Sequence, residues 1–192
     1  MELRDARTAP AAFRRAANRI SVMLAADALR DVPSQAATVT TPLGPADGRV
    51  VQGDVVVVPV LRAGLGMLDA VLELLPTARV GHIGLHRDEA TAIASQYYSK
   101  LPPQIADSYV LMIDPMLATG GSAAAAIDVL KRAGARTIRM ICIVSAPEGV
   151  ALLEREHPDV VIYTPAIDRQ LNAHKFIVPG LGDFGDRLFG TL

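Results

Sequence analysis

Residues 110–127, VLMIDPMLATGGSAAAAI, constrain this chain more than any other stretch. An apolar run with β-branched members ends in Asp114, a short loop holds Thr119, Gly120, Gly121 and Ser122, and an alanine-rich segment opens at Ala123. The order predicts strand, loop, helix. Glycines let successive N–H groups turn into one concavity, and the helix behind adds its unpaired first-turn donors and the positive end of its dipole. An anion, most simply a phosphate, suits that concavity. Thr119 and Ser122 bring hydroxyls, and Asp114 can accept hydrogen bonds from sugar hydroxyls. The residues therefore fit a ribose carrying a phosphate, although an ordinary glycine-containing connection accounts for an isolated loop of this kind equally well.

Two familiar phosphate loops do not fit. The triphosphate loop requires Gly-Lys-Ser/Thr, and here Gly121 is followed directly by Ser122. A dinucleotide glycine pattern matches at Gly180, Gly182 and Gly185, but it follows Pro179 and leaves too few residues before Leu192 for a βαβ unit.

Taken whole, DPMLATGGS resembles the phosphoribosyl pyrophosphate (PRPP) signature of type I phosphoribosyltransferases, and Pro115, Met116 and Leu117 resemble its uracil branch. VPVLRAGLGM at 58–67, SAPEG at 145–149 and FIVPGLGDFGDR at 176–187 agree in order, so the resemblance runs from about Leu3 to the C-terminus. It implies transfer of phosphoribose from PRPP to N1 of uracil, giving UMP and pyrophosphate. Carried over, Arg62, Ala63 and Gly64 form the pyrophosphate loop, and Arg87 is a second arginine that reaches PRPP. Asp114 holds the ribose hydroxyls, Pro115, Met116 and Leu117 continue the signature, and Ala118, Thr119, Gly120, Gly121 and Ser122 take the 5′-phosphate. Ile177, Gly182, Asp183 and Phe184 read uracil, with Asp183 also near PRPP. Asp114, Arg62 and Asp183 are the catalytic candidates. Ile113 stands where many such sites place a second acid, so Mg²⁺ is expected to arrive chelated by PRPP, with no protein metal cage. The family forms homodimers and homotetramers, and some relatives are activated by GTP. Rival readings are a regulatory protein that binds PRPP or UMP, and a transferase for another base.

The chain departs from the family pattern at its short N-terminus, at residues ASQ before Tyr97, and at Phe184, where alanine is common and a narrower base pocket is expected. A length of 192 residues with 51% hydrophobic content suits one domain, residues 1–192, with a full core. A formal net charge of −1 gives no electrostatic case for nucleic acid or an anionic membrane. The start MELRDARTAP lacks an apolar targeting core, which leads to a cytoplasmic expectation. Cys142 is the sole cysteine, and His82, His86, His157 and His174 lack mutual metal-binding spacing.

Apolar spacing predicts a helix over 10–30 with Thr8 as its cap and its arginines on a solvated face; the segment 34–53 is expected to be irregular, with a short strand near 38–41. Strands are expected at 54–60, 79–85, 109–114, 137–145 and 160–163, and helices at 65–75, 122–132 and 147–156. That alternation predicts an α/β fold, a doubly wound and mainly parallel sheet of the type I phosphoribosyltransferase kind. Residues 87–103 read, by resemblance, as a β-hairpin arm over the site or a neighbouring subunit; a plain exposed hairpin fits them as well. Residues 164–187 would form a C-terminal base-binding hood.

Overall fold

A computed structural model describes residues 1–87 and 94–191. In chain order these hold α1 (Pro10–Ala28), β1 (Ser34–Thr41), β2 (Gly44–Val51), β3 (Val55–Leu61), α2 (Leu65–Leu74), β4 (Arg79–Val80), β5 (His82–Arg87), β6 (Ala94–Lys100) and a 3₁₀ turn (Ile105–Asp107). There follow β7 (Tyr109–Ile113), β8 (Met116–Leu117), α3 (Gly121–Arg132), β9 (Thr137–Ile141), β10 (Val144–Ser145), α4 (Pro147–Glu156), β11 (Val161–Tyr163), β12 (Gln170–Leu171), β13 (Ile177–Val178) and α5 (Phe184–Phe189).

The central sheet runs β11-β9-β7-β3-β5-β6, with β4 also beside β3. Every pairing in it is parallel except β5 with β6, as the alternating pattern predicts. Its middle strands read as unbroken apolar runs because helices cover both faces. Val55, Val57, Leu111 and Ile113 pack with α1, α2 and the C-terminal segment, whereas Val56, Val58, Val110 and Met112 pack with α3 and α4. The chain steps outward in opposite directions from β3, towards β5 on one side and β7 on the other. Ligands of such sheets bind where strand order reverses, beyond the carboxyl ends. That point lies between Leu61 and Asp114.

Several boundaries differ from expectation, each for a local reason. Residues 34–51 form a regular hairpin, Ser34↔Val51 through Thr41↔Gly44, not an irregular segment. Pro45 and Gly48 are tolerated because this pair stands apart as a two-stranded sheet, where no third strand requires the missing N–H. The 79–85 strand breaks at Gly81, whose N–H donates to Val57 O, and the 137–145 strand breaks around Cys142. Thr8 does not cap α1: its hydroxyl donates to Glu2 O, and Ala9 occupies the cap position. Strand β6, within the stretch expected to form a hairpin, pairs antiparallel with β5, and Gly84 opposite it leaves room for the Tyr97 ring, which a Cβ would meet at 2.5 Å. Gly134 does end α3, at φ +95, with its N–H on Lys131 O and that of Ala135 on Leu130 O. Of the α1 arginines, Arg14 is more than a solvated cation, since it donates to Leu188 O at 2.7 Å.

At the opposite edge from the site, the Tyr109 hydroxyl shares its proton between Ala28 O and Asp31 Oδ1, both 2.6 Å away. Arg139 donates to the same carboxylate at 2.7 Å and lies over the Tyr109 ring, and these two partners, Tyr109 first, hold Asp31 below the usual carboxylate range. Tyr109→Phe is expected to destabilise the fold by about 1–2 kcal/mol in urea unfolding, the cost of a hydrogen bond to a charged group with its partners left in place. Turnover should be unaffected.

Candidate active site

Strands β3 and β7 run side by side to Pro59↔Ile113, so the loops that follow them emerge together. Asp114 anchors the second loop by donating its N–H to Ile141 O at 3.1 Å. Its carboxylate keeps a partial opening to solvent, and the only polar contact described for it is the Met116 N–H at a long 3.4 Å. Burial pushes its pKa up to about 7. A buried carboxylate so poorly compensated is a candidate for contact with a ligand.

The rest of that loop is fixed from behind. Pro115 O accepts the N–H groups of Ile143 and Val144, Leu117 O accepts that of Ala146, and β8 pairs in parallel with β10. Gly149 lies so close that a Cβ there would meet Ala118 O at 2.5 Å. The SAPEG stretch is therefore a buttress, which its residue types alone do not reveal. Gly120 turns at φ +86 into α3. Ala124 is the first helical donor, to Gly120 O, so the N–H groups of Ser122 and Ala123 belong to the open first turn, and that of Gly121 makes a long 3.5 Å contact with Thr119 Oγ1. Asp114, Met116, Leu117, Ala118, Thr119, Gly120, Ser122 and Ala123 line a hollow of about 90 Å³.

After β3 the Leu61–Arg62 peptide is cis, and the chain turns through Ala63 and Gly64 into α2. The Gly64 N–H is committed to Val60 O at 2.9 Å, so this glycine serves close packing and is no anion donor. Arg62 is 63% exposed, and its Nη2 lies 3.6 Å from Asp186 Oδ1. Arg87 closes β5, but its side chain lies outside the described residues, as do residues 88–93 of the expected arm.

The C-terminal segment folds back over both loops. A hollow of about 210 Å³ is lined by Ala63 from the first loop, Met116 and Ala118 from the second, and Ile177, Gly182, Asp183 and Phe184 from the third. His174, Lys175 and Phe176 line it too. These three lie within the hood expected over 164–187 but were not among the residues named for the site; Asn172 marks their turn, since its side-chain oxygen accepts the N–H groups of His174 and Phe176, and Lys175 sits at φ +63. Asp183 also caps α5, accepting the Asp186 N–H at 2.9 Å. The Phe184 ring is 1% exposed and packs edge-on against Phe13, 5.1 Å between centroids, so it forms part of the floor.

Residues singled out in the sequence thus line two hollows that share Met116 and Ala118, while Arg62 lies against Asp186 and Arg87 stands at the end of β5. Among the described residues no helix is long and apolar enough to cross a membrane, and no group of three or more His, Cys, Asp or Glu could hold a metal ion.

A family model described as uracil phosphoribosyltransferase matches residues 1–191. A uracil phosphoribosyltransferase from Dictyoglomus thermophilum is 52% identical over 191 residues, covering 99% of this chain and 92% of its own length. One from Rhodococcus opacus is 50% identical over 192 residues, covering 100% of this chain and 91% of its own. The solved structure of the AQ2163 protein from Aquifex aeolicus superposes with a TM-score of 0.93 at 34% identity, covering 97% of this chain and 90% of that one. A hypoxanthine phosphoribosyltransferase from Staphylococcus aureus, at 12% identity and TM-score 0.53 over 82% of this chain and 77% of that one, shares the fold alone.

Proposed function

The chain belongs to the uracil phosphoribosyltransferase family and is an enzyme that joins uracil N1 to the phosphoribosyl group of PRPP, giving UMP and pyrophosphate; we propose how its residues divide that work. One observation carries the proposal: three separate loops, after β3, after β7 and around β13, converge on a single hollow beside a glycine-turned helix start.

In the reaction the bond from ribose C1 to the pyrophosphate oxygen breaks, the bond from C1 to N1 forms, and the N1 proton is released to the leaving pyrophosphate or to water. Positive charge gathers on the sugar ring as the leaving group takes the electron pair. Asp114, at the end of β7, accepts from the ribose hydroxyls, and its negative charge favours the cationic ring. Backbone donors at Gly121, Ser122 and Ala123, with the hydroxyls of Thr119 and Ser122, hold the 5′-phosphate at the start of α3. Arg62 takes the pyrophosphate with a fork of donors, which requires it to leave Asp186. Arg87 reaches PRPP from the end of β5. Uracil lies on Ile177 and Gly182 to Phe184, matched by main-chain donors and acceptors; the reversed group at C4 of cytosine would leave buried partners unpaired.

A lone, under-coordinated carboxylate fits a Mg²⁺ that already carries pyrophosphate and sugar oxygens as ligands, and Asp114 is the residue that would face it. Bound there, the ion would neutralise charge developing on the leaving pyrophosphate. The chain works as a single cytoplasmic domain in a homodimer or homotetramer. Exposed Val39, Leu43, Val50 and Val51 on the β1–β2 hairpin support self-association.

The direct test is uracil-dependent release of pyrophosphate from PRPP with Mg²⁺, run beside cytosine, orotate and hypoxanthine. Turnover with uracil alone is expected. Faster turnover of another base would overturn the base assignment, and no turnover despite PRPP binding would favour a regulatory role.

A further inference from the structure

The segment that would read the base is held largely by side chains from distant parts of the chain. Gly180 turns at φ +60, where a Cβ would collide with Ile177 O. Its N–H donates to Asp168 Oδ2 at 2.8 Å, and its carbonyl accepts from Arg4 Nη1 at 2.9 Å. Arg4 and Asp168 are themselves a forked ion pair, Nη1 to Oδ2 and Nη2 to Oδ1, both 2.7 Å. One ion pair therefore grips both polar backbone groups of one residue. Asp168 is 8% exposed, and its own N–H is tied to Ser145 O at 2.8 Å, at the end of the strand that supports the phosphate loop. Next along the chain, Leu181 O accepts from buried Arg187, which also donates to Leu3 O and Asp5 O. Residues 3–5 thus frame the segment from outside.

Resting on the reading of Ile177 and Gly182 to Phe184 as the uracil site, we infer that Arg4 and Asp168 are positioning residues for base recognition, which set the pose of Gly180 and through it the backbone groups of Gly182 to Phe184. The pair touches neither the Asp114 to Ser122 loop nor the Arg62 turn through its side chains. Its loss should therefore fall on uracil. A buried charge stripped of its partner is costly, and the adjoining glycines offer little resistance to a change of pose.

The test is steady-state kinetics of Arg4→Ala and Asp168→Asn with each substrate varied in turn. The uracil KM is expected to rise about tenfold or more while the PRPP KM stays within about twofold. Arg4→Lys, which keeps the charge but not the fork, should recover part of the loss. Added guanidinium should lower the uracil KM of Arg4→Ala towards the wild-type value, a response that lost packing would not give. An unchanged uracil KM in both folded variants would overturn the inference, as would an equal rise in both KM values without rescue. Wild-type enzyme run alongside separates the two levels: if it fails to turn over uracil, the base-site reading falls first.

Discussion

Asp114→Asn is expected to lower kcat by about 100-fold or more and, at the same time, to make the protein harder to unfold. The first effect follows from the proposed role of Asp114 as the carboxylate facing the reacting sugar; preorganised charge of this kind is worth about 10²–10³ in rate. The second follows from the same isolation. Burial holds the carboxyl at about 7, above the ordinary carboxylate range, with only one long backbone contact to offset it. The folded chain thus keeps a proton that the unfolded chain has released from about pH 4 upward. What this group contributes to stability is fully present below that pH and is lost as pH rises through 7. Asparagine carries no such charge. Because the carboxylate is partly open to solvent, the gain at pH 8 should be modest, about 1–2 kcal/mol, or roughly 3–6 °C in Tm for a domain of this size. At pH 4 the variant and the wild type should melt together. Wild-type kcat/KM should also climb with pH through about 7 as the free enzyme's carboxylate ionises, a limb that the variant lacks. Near-normal kcat in the variant would remove Asp114 from the reaction, and a lower Tm at pH 8 would contradict the cost assigned to its charge.

The parts of the fold legible in the sequence were those where one local signal decides. The valine run of β3 and the apolar run of β7 can only be central strands, and Gly134 ends α3 through the left-handed turn that its missing side chain permits. Legibility failed where a partner distant in sequence decides. The β1–β2 hairpin contains Pro45 and Gly48, which read as breakers until it is seen that among the described residues no further strand pairs there. Helix α5 is six residues inside a glycine-rich string, capped by an aspartate that the sequence also offered as a ligand. At the site, Asp114, Arg62 and the glycine loop were visible as types of residue. The buttress at Ala146 and Gly149 was not, nor the grip of Arg4 and Asp168 on Gly180, because each acts through a backbone atom of another segment.

Gly64→Ala tests the junction where the two loops proposed to hold PRPP leave the sheet. A Cβ at this position would stand 2.5 Å from Ile113 O and 2.7 Å from both Val60 N and Val60 O. None of these is the movable end of a side chain: all are backbone atoms of the two central strands, so the turn itself must shift or β3 and β7 must part. Overpacking at so rigid a place should cost about 2–3 kcal/mol. The larger effect should be on catalysis. Ile113 O immediately precedes Asp114, and Ala63 and Arg62 immediately precede Gly64, so one added methyl displaces together the carboxylate proposed to face the sugar and the arginine proposed to take the pyrophosphate. A misplacement near 1 Å is enough to lose about 100-fold in kcat/KM. Gly48→Ala is the matched control, since a Cβ there meets nothing within 4 Å on the exposed hairpin; its stability should stay within about 0.5 kcal/mol and its kinetics unchanged. If Gly64→Ala retains wild-type kcat/KM with both substrates, then neither loop depends on the close contact between β3 and β7, and the shared origin of the two binding loops would lose its functional meaning.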